Sequence, residues 1–206
     1  MLIREFPGQS KDPRRYESGV IATGYMIGSI AIDAPEGVQY ENPSIILLTH
    51  EHCDHIAGLN SSNVPYAASK FTADAIMQRR EEATLCSHLG LRIPDRDPRL
   101  ILVEGQILNW EGGVSLEVIE TPGHSEGSLC FYSKEEKTLF SGDTVFGDYS
   151  LPALALPTSN PAKLLDSYEK LLKYEIKTIC PGHGSRFSKE NYVRELIPRL
   201  KELTLF

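Results

Sequence analysis

Four times along this 206-residue chain, a short apolar run of the kind that forms a buried strand stops abruptly at histidine or aspartate. SIILL at 44–48 runs into THEHCDH, LEVIETPGH ends in His124, KTLFSGD ends in Asp143, and IKTICPGH ends in His183. The last three reach the polar residue through a glycine, which lets the backbone turn sharply enough to aim a side chain inward. Open α/β sheets place their ligand sites at the carboxyl ends of strands. Seven ligand-type residues therefore share one predicted edge: His50, His52, Asp54, His55, His124, Asp143 and His183.

The rest of the chain reads as strands and helices around that edge. LIREF at 2–6, VIATGYMIG at 19–27 and SIAID at 29–33 are expected strands, as are LILVE at 100–104, VSLEVIE at 114–120, SLCFYS at 128–133, KTLFS at 137–141 and a last one at 176–180. Few breakers interrupt Lys70 to about Leu89, which predicts a helix followed by a loop with Pro94, Asp95, Asp97 and Pro98. Asn160 and Pro161 look like an N-cap and first helical position, and Leu164, Leu165, Tyr168, Leu171 and Leu172 then form one apolar stripe. A terminal helix is expected over 192–203, kinked or interrupted at Pro198. The pattern predicts one mixed α/β layered domain over 1–206 with helices on its outer faces, without repeats or linkers.

Composition narrows the function classes. Asp and Glu outnumber Lys and Arg by 28 to 21, a formal charge of -7, and the basic residues are dispersed, so no nucleic-acid partner is expected. No run of about 18 apolar residues suggests a membrane span, and the opening MLIREFPGQS lacks a signal-peptide core. The four cysteines, Cys53, Cys86, Cys130 and Cys180, are far apart with no CxxC pair, which predicts reduced thiols and a cytoplasmic protein.

HxHxDH offers four potential ligands within six residues. Alternate residues of an extended segment point the same way, so His50 and His52 can converge while Asp54 and His55 turn toward an adjacent site. Five imidazoles and two carboxylates exceed what one tetrahedral zinc needs. Two divalent ions sharing a carboxylate and a water use them all. The expected division is His50, His52 and His124 on one ion, Asp54, His55 and His183 on the other, and Asp143 as the bridge.

HxHxDH, then TPGHS, then SGDT, then PGHG, in this order from about Ile21 to Gly184, resembles the metallo-β-lactamase superfamily. The resemblance implies an αβ/βα four-layer sandwich of two mixed β-sheets with outer helices. It also places Asp33, in AIDAP, beside the ligands rather than on the metal. TPGHSEGSLCFY, SGDTVF and CPGHG are most similar to the glyoxalase II group of thioester hydrolases. That group's C-terminal glutathione-binding helical domain is not expected here, and GDYSLPALALP follows Phe146 where the group continues with a Gly-Arg turn.

The activity so implied is hydrolysis of a small-molecule thioester or ester. Two Zn2+ ions, or iron or mixed Fe/Zn, would carry a bridging hydroxide that attacks the acyl carbon, and Asp54 would orient it as the catalytic carboxylate. A thiolate leaves readily without a protonated acid. A lactonase stays open, as does a persulfide dioxygenase with one iron on residues matching His50, His124 and Asp143. A catalytically silent metal-binding module is the alternative outside enzymes. A homodimer is compatible with the chain.

Other polar residues are expected to be ordinary. His88 has no motif and should face solvent, Cys53 and Cys180 should pack, and Ser125 and Ser128 should shape a turn rather than act as nucleophiles. The apolar stretch from Leu151 to Pro157 serves either as core or as the wall of an acyl pocket.

Overall fold

The computed structural model describes residues 2–9 and 21–204. Twelve described strands form two six-stranded sheets. The first runs in the order β1 (Ile3–Pro7), β2 (Thr23–Ile27), β3 (Ile30–Ile32), β4 (Ile45–Leu47), β5 (Tyr66–Ser69), β6 (Leu100–Leu102). The second runs β12 (Phe187–Ser188), β11 (Thr178–Pro181), β10 (Thr138–Gly142), β9 (Leu129–Ser133), β8 (Val114–Glu120), β7 (Ile107–Trp110). Both sheets are mixed: β3, β4, β5 and β6 pair in parallel, as do β10 and β11, and the other pairings are antiparallel.

Alternation along the strands builds the layers. Tyr25, Ile27, Ile30, Ile32, Ile45 and Leu47 of the first sheet meet Leu116, Val118, Phe131 and Phe140 of the second in a shared inner core. Each such side chain, fully buried, contributes roughly 1.5–3 kcal/mol. The opposite faces are equally apolar. Met26, Ile46, Leu48, Tyr66 and Ala68 pack outward on one side, and Ile119, Cys130, Leu139 and Ile179 on the other. The first outer face is covered by α1 (Cys53–Ile56), a 3₁₀ turn at Ala57–Ser61, α2 (Lys70–Met77) and α3 (Glu81–Thr84). The second is covered by α4 (Pro161–Leu171) and α5 (Tyr192–Thr204). The result is the expected helix, sheet, sheet, helix sandwich.

Strand direction then gathers the polar ends. β8 and β10 are each antiparallel to β9, and β10 is parallel to β11, so the chain leaves β8, β10 and β11 at the same end of the sheet. Leu129 N donates to Thr49 O at 2.7 Å, which brings the end of β4 to that edge.

Several expectations need correction. The helix expected over 70–89 breaks after Met77: Arg79 and Leu85 both take positive φ, at 54° and 57°, with the short α3 between them. The break swings Cys86 back over α1, where it forms a disulfide with Cys53, Cα to Cα 4.9 Å. The prediction of four reduced thiols therefore fails for this pair and holds for Cys130 and Cys180, so the thiols no longer argue for a cytoplasmic setting. α5 runs on through Pro198 without the interruption that was one of the two expected outcomes. Strands β5, β7 and β12 had no counterpart in the sequence reading; β5 is alanine-rich and β7 and β12 are sheet edges, so none shows a strong strand pattern. The N-cap at Asn160 is present, its side chain accepting from Lys163 N at 3.0 Å. Residues 19 and 20 of the second expected strand lie outside the described residues. No described helix is long and apolar enough to cross a membrane.

Candidate metal centre

After β4 the chain stays extended as far as His52 (φ -63°, ψ 142°), and α1 begins at the next residue. Alternation brings His50 and His52 together, Nε2 of one 3.1 Å from Nδ1 of the other. The first turn of α1 then carries Asp54 and His55 to one side. Each of the remaining three residues follows a glycine that has no room for a Cβ. At Gly123 it would lie 2.5 Å from Leu164 Cα, at Gly142 2.5 Å from Thr49 Oγ1, and at Gly182 2.1 Å from Asp143 Oδ1. Gly142 also needs a positive φ of 46°, which places Asp143 beyond the strand end.

The structure brings all seven predicted residues together. His52 Nδ1 faces His50 Nε2 at 3.1 Å and His124 Nε2 at 2.9 Å. Beside this trio, His183 Nε2 lies 3.1 Å from Asp54 Oδ2, and His55 Nε2 lies 3.2 Å from Asp143 Oδ1 and 3.5 Å from Asp54 Oδ2. Asp143 Oδ2 stands between the two groups, 3.4 Å from both His124 Nε2 and His183 Nε2. Three sets have donor atoms within 4.8 Å of one another: His50, His52 and His124; Asp54, His55 and His183; and His50, His55 and Asp143. The first two match the division expected from the sequence, and the third joins them through Asp143.

Outward-facing atoms fix the rings. His124 Nδ1 donates to Ala153 O at 3.3 Å and His183 Nδ1 to Ile21 O at 3.1 Å, since a carbonyl can only accept. His55 Nδ1 donates to Asp33 Oδ2 at 2.8 Å. The Thr49 hydroxyl donates to the same oxygen at 2.8 Å and therefore accepts from His50 Nδ1 at 3.0 Å. Four rings thus turn Nε2 inward. Asp33 adopts a φ of 60° and accepts Thr49 N–H as well, so one carboxylate backs both His50 and His55.

Charge supports a cation here. Burial pushes His50 well below the usual imidazole range, His52 down to about 3, and His124 downward too. Burial also opposes charge on His55 and His183, but Asp143 and its neighbouring carboxylates outweigh it, raising His55 well above the usual range and His183 to about 10. Burial works against ionised Asp143 and Asp54, and the facing imidazoles His183 and His55 overcome it, so both carboxyls lie low. Carboxylates kept ionised in a buried site, and stabilising positive charge on the imidazoles that face them, favour a divalent cation in the same place.

A cation explains the trio better than hydrogen bonding does. His52 Nδ1 can donate to only one of the two bare nitrogens facing it, which leaves lone pairs opposed in a buried space. His52 Nε2 is buried with no hydrogen-bond partner, and the buried His55 Nε2 and Asp143 Oδ1 face only each other, at 3.2 Å. The donor set of imidazoles and carboxylates suits a divalent ion.

His124, Asp143 and His183 line a cleft of about 560 Å3 together with Phe146, Leu151 and Ala153. Leu151 and Leu154 also pack against the outer core of the second sheet, so the apolar stretch after Leu151 serves both as core and as cleft wall. Ser125 and Ser128 are buried and bond to each other at 2.9 Å, as turn residues should. His88 is exposed and Cys180 lies in the inner core, as expected. Cys53, the first residue of α1, packs in the outer core of the first sheet in its disulfide and takes no place among the donor sets. Sequence reasoning missed Thr49, Glu51 and the Ala153 carbonyl. Only Glu51 carried a signal, as the residue out of phase between two inward-facing histidines.

A family model described as "Metallo-beta-lactamase superfamily" matches residues 27–183. Among known proteins the chain is similar to the acyl-coenzyme A thioesterase MBLAC2 of Gallus gallus, at 28% identity over 189 residues, covering 82% of this chain and 66% of that protein. It is also similar to the hydroxyacylglutathione hydrolase of Enterobacter sp. (strain 638), at 30% identity over 163 residues, covering 76% of this chain and 54% of the other. The chain thus spans between about half and two thirds of these relatives' lengths. Among solved structures, TTHA1623 in a di-iron-bound form superposes with a TM-score of 0.67 at 25% identity, over 88% of this chain and 94% of that one.

Proposed function

The chain belongs to the metallo-β-lactamase superfamily, and from this premise we propose that it is a metal-dependent hydrolase of thioesters, with two divalent ions, zinc foremost, held by the seven converging residues. His50, His52 and His124 would hold one ion, Asp54, His55 and His183 the other, and Asp143 would reach both. The observation that carries this reading is the meeting of three imidazole nitrogens within 3.1 Å of their neighbours, with Asp143 Oδ2 standing between them and the second group. Two relatives with thioester-cleaving names, MBLAC2 and hydroxyacylglutathione hydrolase, support the substrate class.

Divalent ions bound here would supply a water acidified to a pKa near 7 and a Lewis acid for the acyl carbonyl. The chain's own residues set the geometry around them. Asp33, through His55 and Thr49, keeps two rings from rotating, and the Ala153 and Ile21 carbonyls do the same for His124 and His183. Asp54, 11% exposed in its side chain, would orient the attacking water. Phe146, Leu151 and Ala153 give the cleft an apolar wall for an acyl group. The reading asks for a leaving group that departs without a proton. A thiolate does so, because its conjugate acid is already fairly strong.

The first test is elemental analysis of protein purified without added metal, followed by assay on acyl thioesters of coenzyme A, glutathione and simple thiols. Expected are about two ions per chain, loss of hydrolysis on chelation, and its return with zinc. Replacing a partner behind the ligands typically costs about 10–100-fold, so Asp54→Ala and Asp143→Ala should cost at least about 100-fold. One iron per chain with oxygen uptake on persulfides would replace the reading with a dioxygenase. Bound metal with no turnover on thioesters or lactones would leave a silent binding module.

A further inference from the structure

We propose that Glu51 is a positioning residue that sets the distance between the His50/His52 segment and the loop carrying His124, and so tunes the three-histidine ion position; this rests on the metal-centre reading above. Glu51 is fully buried. Alternation sends its side chain away from the trio, between α2 and the loop that follows His124. There its Oε2 accepts from Thr72 Oγ1 at 3.0 Å and from Ser125 Oγ at 3.2 Å. Ser125 is the residue after His124, so the carboxylate of the residue between His50 and His52 in sequence also holds the neighbour of the third histidine.

The loop is pressed onto this point from both sides. A Cβ at Gly127 would lie 2.3 Å from Glu51 Oε2 and 2.4 Å from Thr72 Oγ1, so the backbone passes as close as glycine allows. Ser69, the N-cap of α2, donates to Gly127 O at 2.8 Å, and Ser128 Oγ lies 2.9 Å from Ser125 Oγ. The other oxygen, Oε1, is buried with no hydrogen-bond partner. A group whose only role was to fill space would do so at lower cost as leucine or methionine, because a buried, half-satisfied carboxyl is expensive. What the carboxyl offers is an acceptor that two hydroxyls from separate segments can share. Because the three inward nitrogens lie within 3.1 Å of their neighbours, a shift of the His124 loop by a fraction of an ångström changes that ion position directly.

The test compares the full-length wild-type protein with Glu51→Gln and Glu51→Leu after loading with Co2+. Metal stoichiometry is counted, each ion's affinity is measured by competition with a chromophoric chelator, and the visible Co2+ spectrum reports the ligand field. Glutamine keeps the shared acceptor and offers an amide where Oε1 stands, whereas leucine keeps only the volume. Expected are two ions in the wild type, binding by Glu51→Gln within about threefold of it, and roughly 10–100-fold weaker binding of one ion alone in Glu51→Leu, with an altered spectrum. Equal binding of both ions by Glu51→Leu would overturn the proposal, and so would equal weakening by Glu51→Gln. Should Glu51→Leu not fold by circular dichroism, the double variant Thr72→Val with Ser125→Ala decides, since it removes both donors and leaves the carboxylate. Unchanged binding there also overturns the proposal. Wild-type protein that binds no divalent ion at all would instead refute the metal-centre reading itself.

Discussion

The first sheet delivers His50, His52, Asp54 and His55 from six consecutive residues at the exit of β4, whereas the second delivers His124, Asp143 and His183 from the ends of three separate strands. The two halves are also backed differently. On the first side one carboxylate, Asp33, serves two rings, and a disulfide ties α1 to the segment packed over it. On the second side each residue has its own glycine, and His124 and His183 lean on backbone carbonyls that no substitution removes. Four of the proposed ligands lie on one short element and share their supports, so a single change should disturb several of them. The three proposed on separate strand ends should fail one at a time.

The largest effect is expected on the first side. Cys53 and Cys86 are 33 residues apart in sequence, and closing a loop of that size stabilises the fold by about 3–4 kcal/mol in the chain-entropy account. Cys86→Ser should lower the unfolding free energy by that amount in a denaturant titration. An unchanged midpoint would show that the disulfide does not brace α1.

On the second side, Gly182→Ala drives a methyl group to 2.1 Å from Asp143 Oδ1 and 2.6 Å from His55 Cε1. Displacing a catalytic group by about 1 Å can cost roughly 100-fold in rate. Thioester hydrolysis should fall by about that much and bound metal should drop toward one ion, whereas Gly147→Ala, which meets only Phe187 ring carbons at 3.6 and 3.7 Å and needs no positive φ, should keep both ions. If the two variants behaved alike, steric exclusion at Gly182 would not be what places Asp143.

Asp33→Asn sharpens the contrast between shared and separate support. Asparagine tolerates the positive φ but sets an amide against the N–H of His55, and metal affinity should fall about 10–100-fold. Because Asp33 also reaches His50 through Thr49, competition titrations should show both ions weakened; loss of one ion alone would mean that the support is not shared. The smallest effect belongs to the exposed pair Lys163 and Glu126, 2.7 Å apart beside the His124 loop. Lys163→Ala should change stability by less than about 1 kcal/mol in a thermal melt and leave metal binding as it was.

The same contrast explains what could be read in advance. HxHxDH announces itself because four donors fall within one window, and alternation plus one helical turn is enough to sort them. His124, Asp143 and His183 stand alone, and only the repeated strand, glycine, donor context marked them. The core faces were equally legible, since Ile45 and Leu47 point inward and Ile46 and Leu48 outward as strict alternation requires. The helix over 70–89 was misread because its composition is helical throughout. The break at Arg79 and Leu85 follows from packing Cys86 and its neighbours over α1, which no local preference encodes.

The sequence by itself determined the chemistry of the centre and the edge on which it lies, because donor type, strand alternation and glycine turns are local properties. Tertiary structure alone decided which nitrogen of each ring faces inward, that Cys53 meets Cys86, and that Glu51 joins two ligand segments. Each of these depends on a partner brought from a distant part of the chain: the Ala153 and Ile21 carbonyls, Asp33, Cys86, and the hydroxyls of Thr72 and Ser125. A partner fixed by packing leaves no mark at the residue it orients.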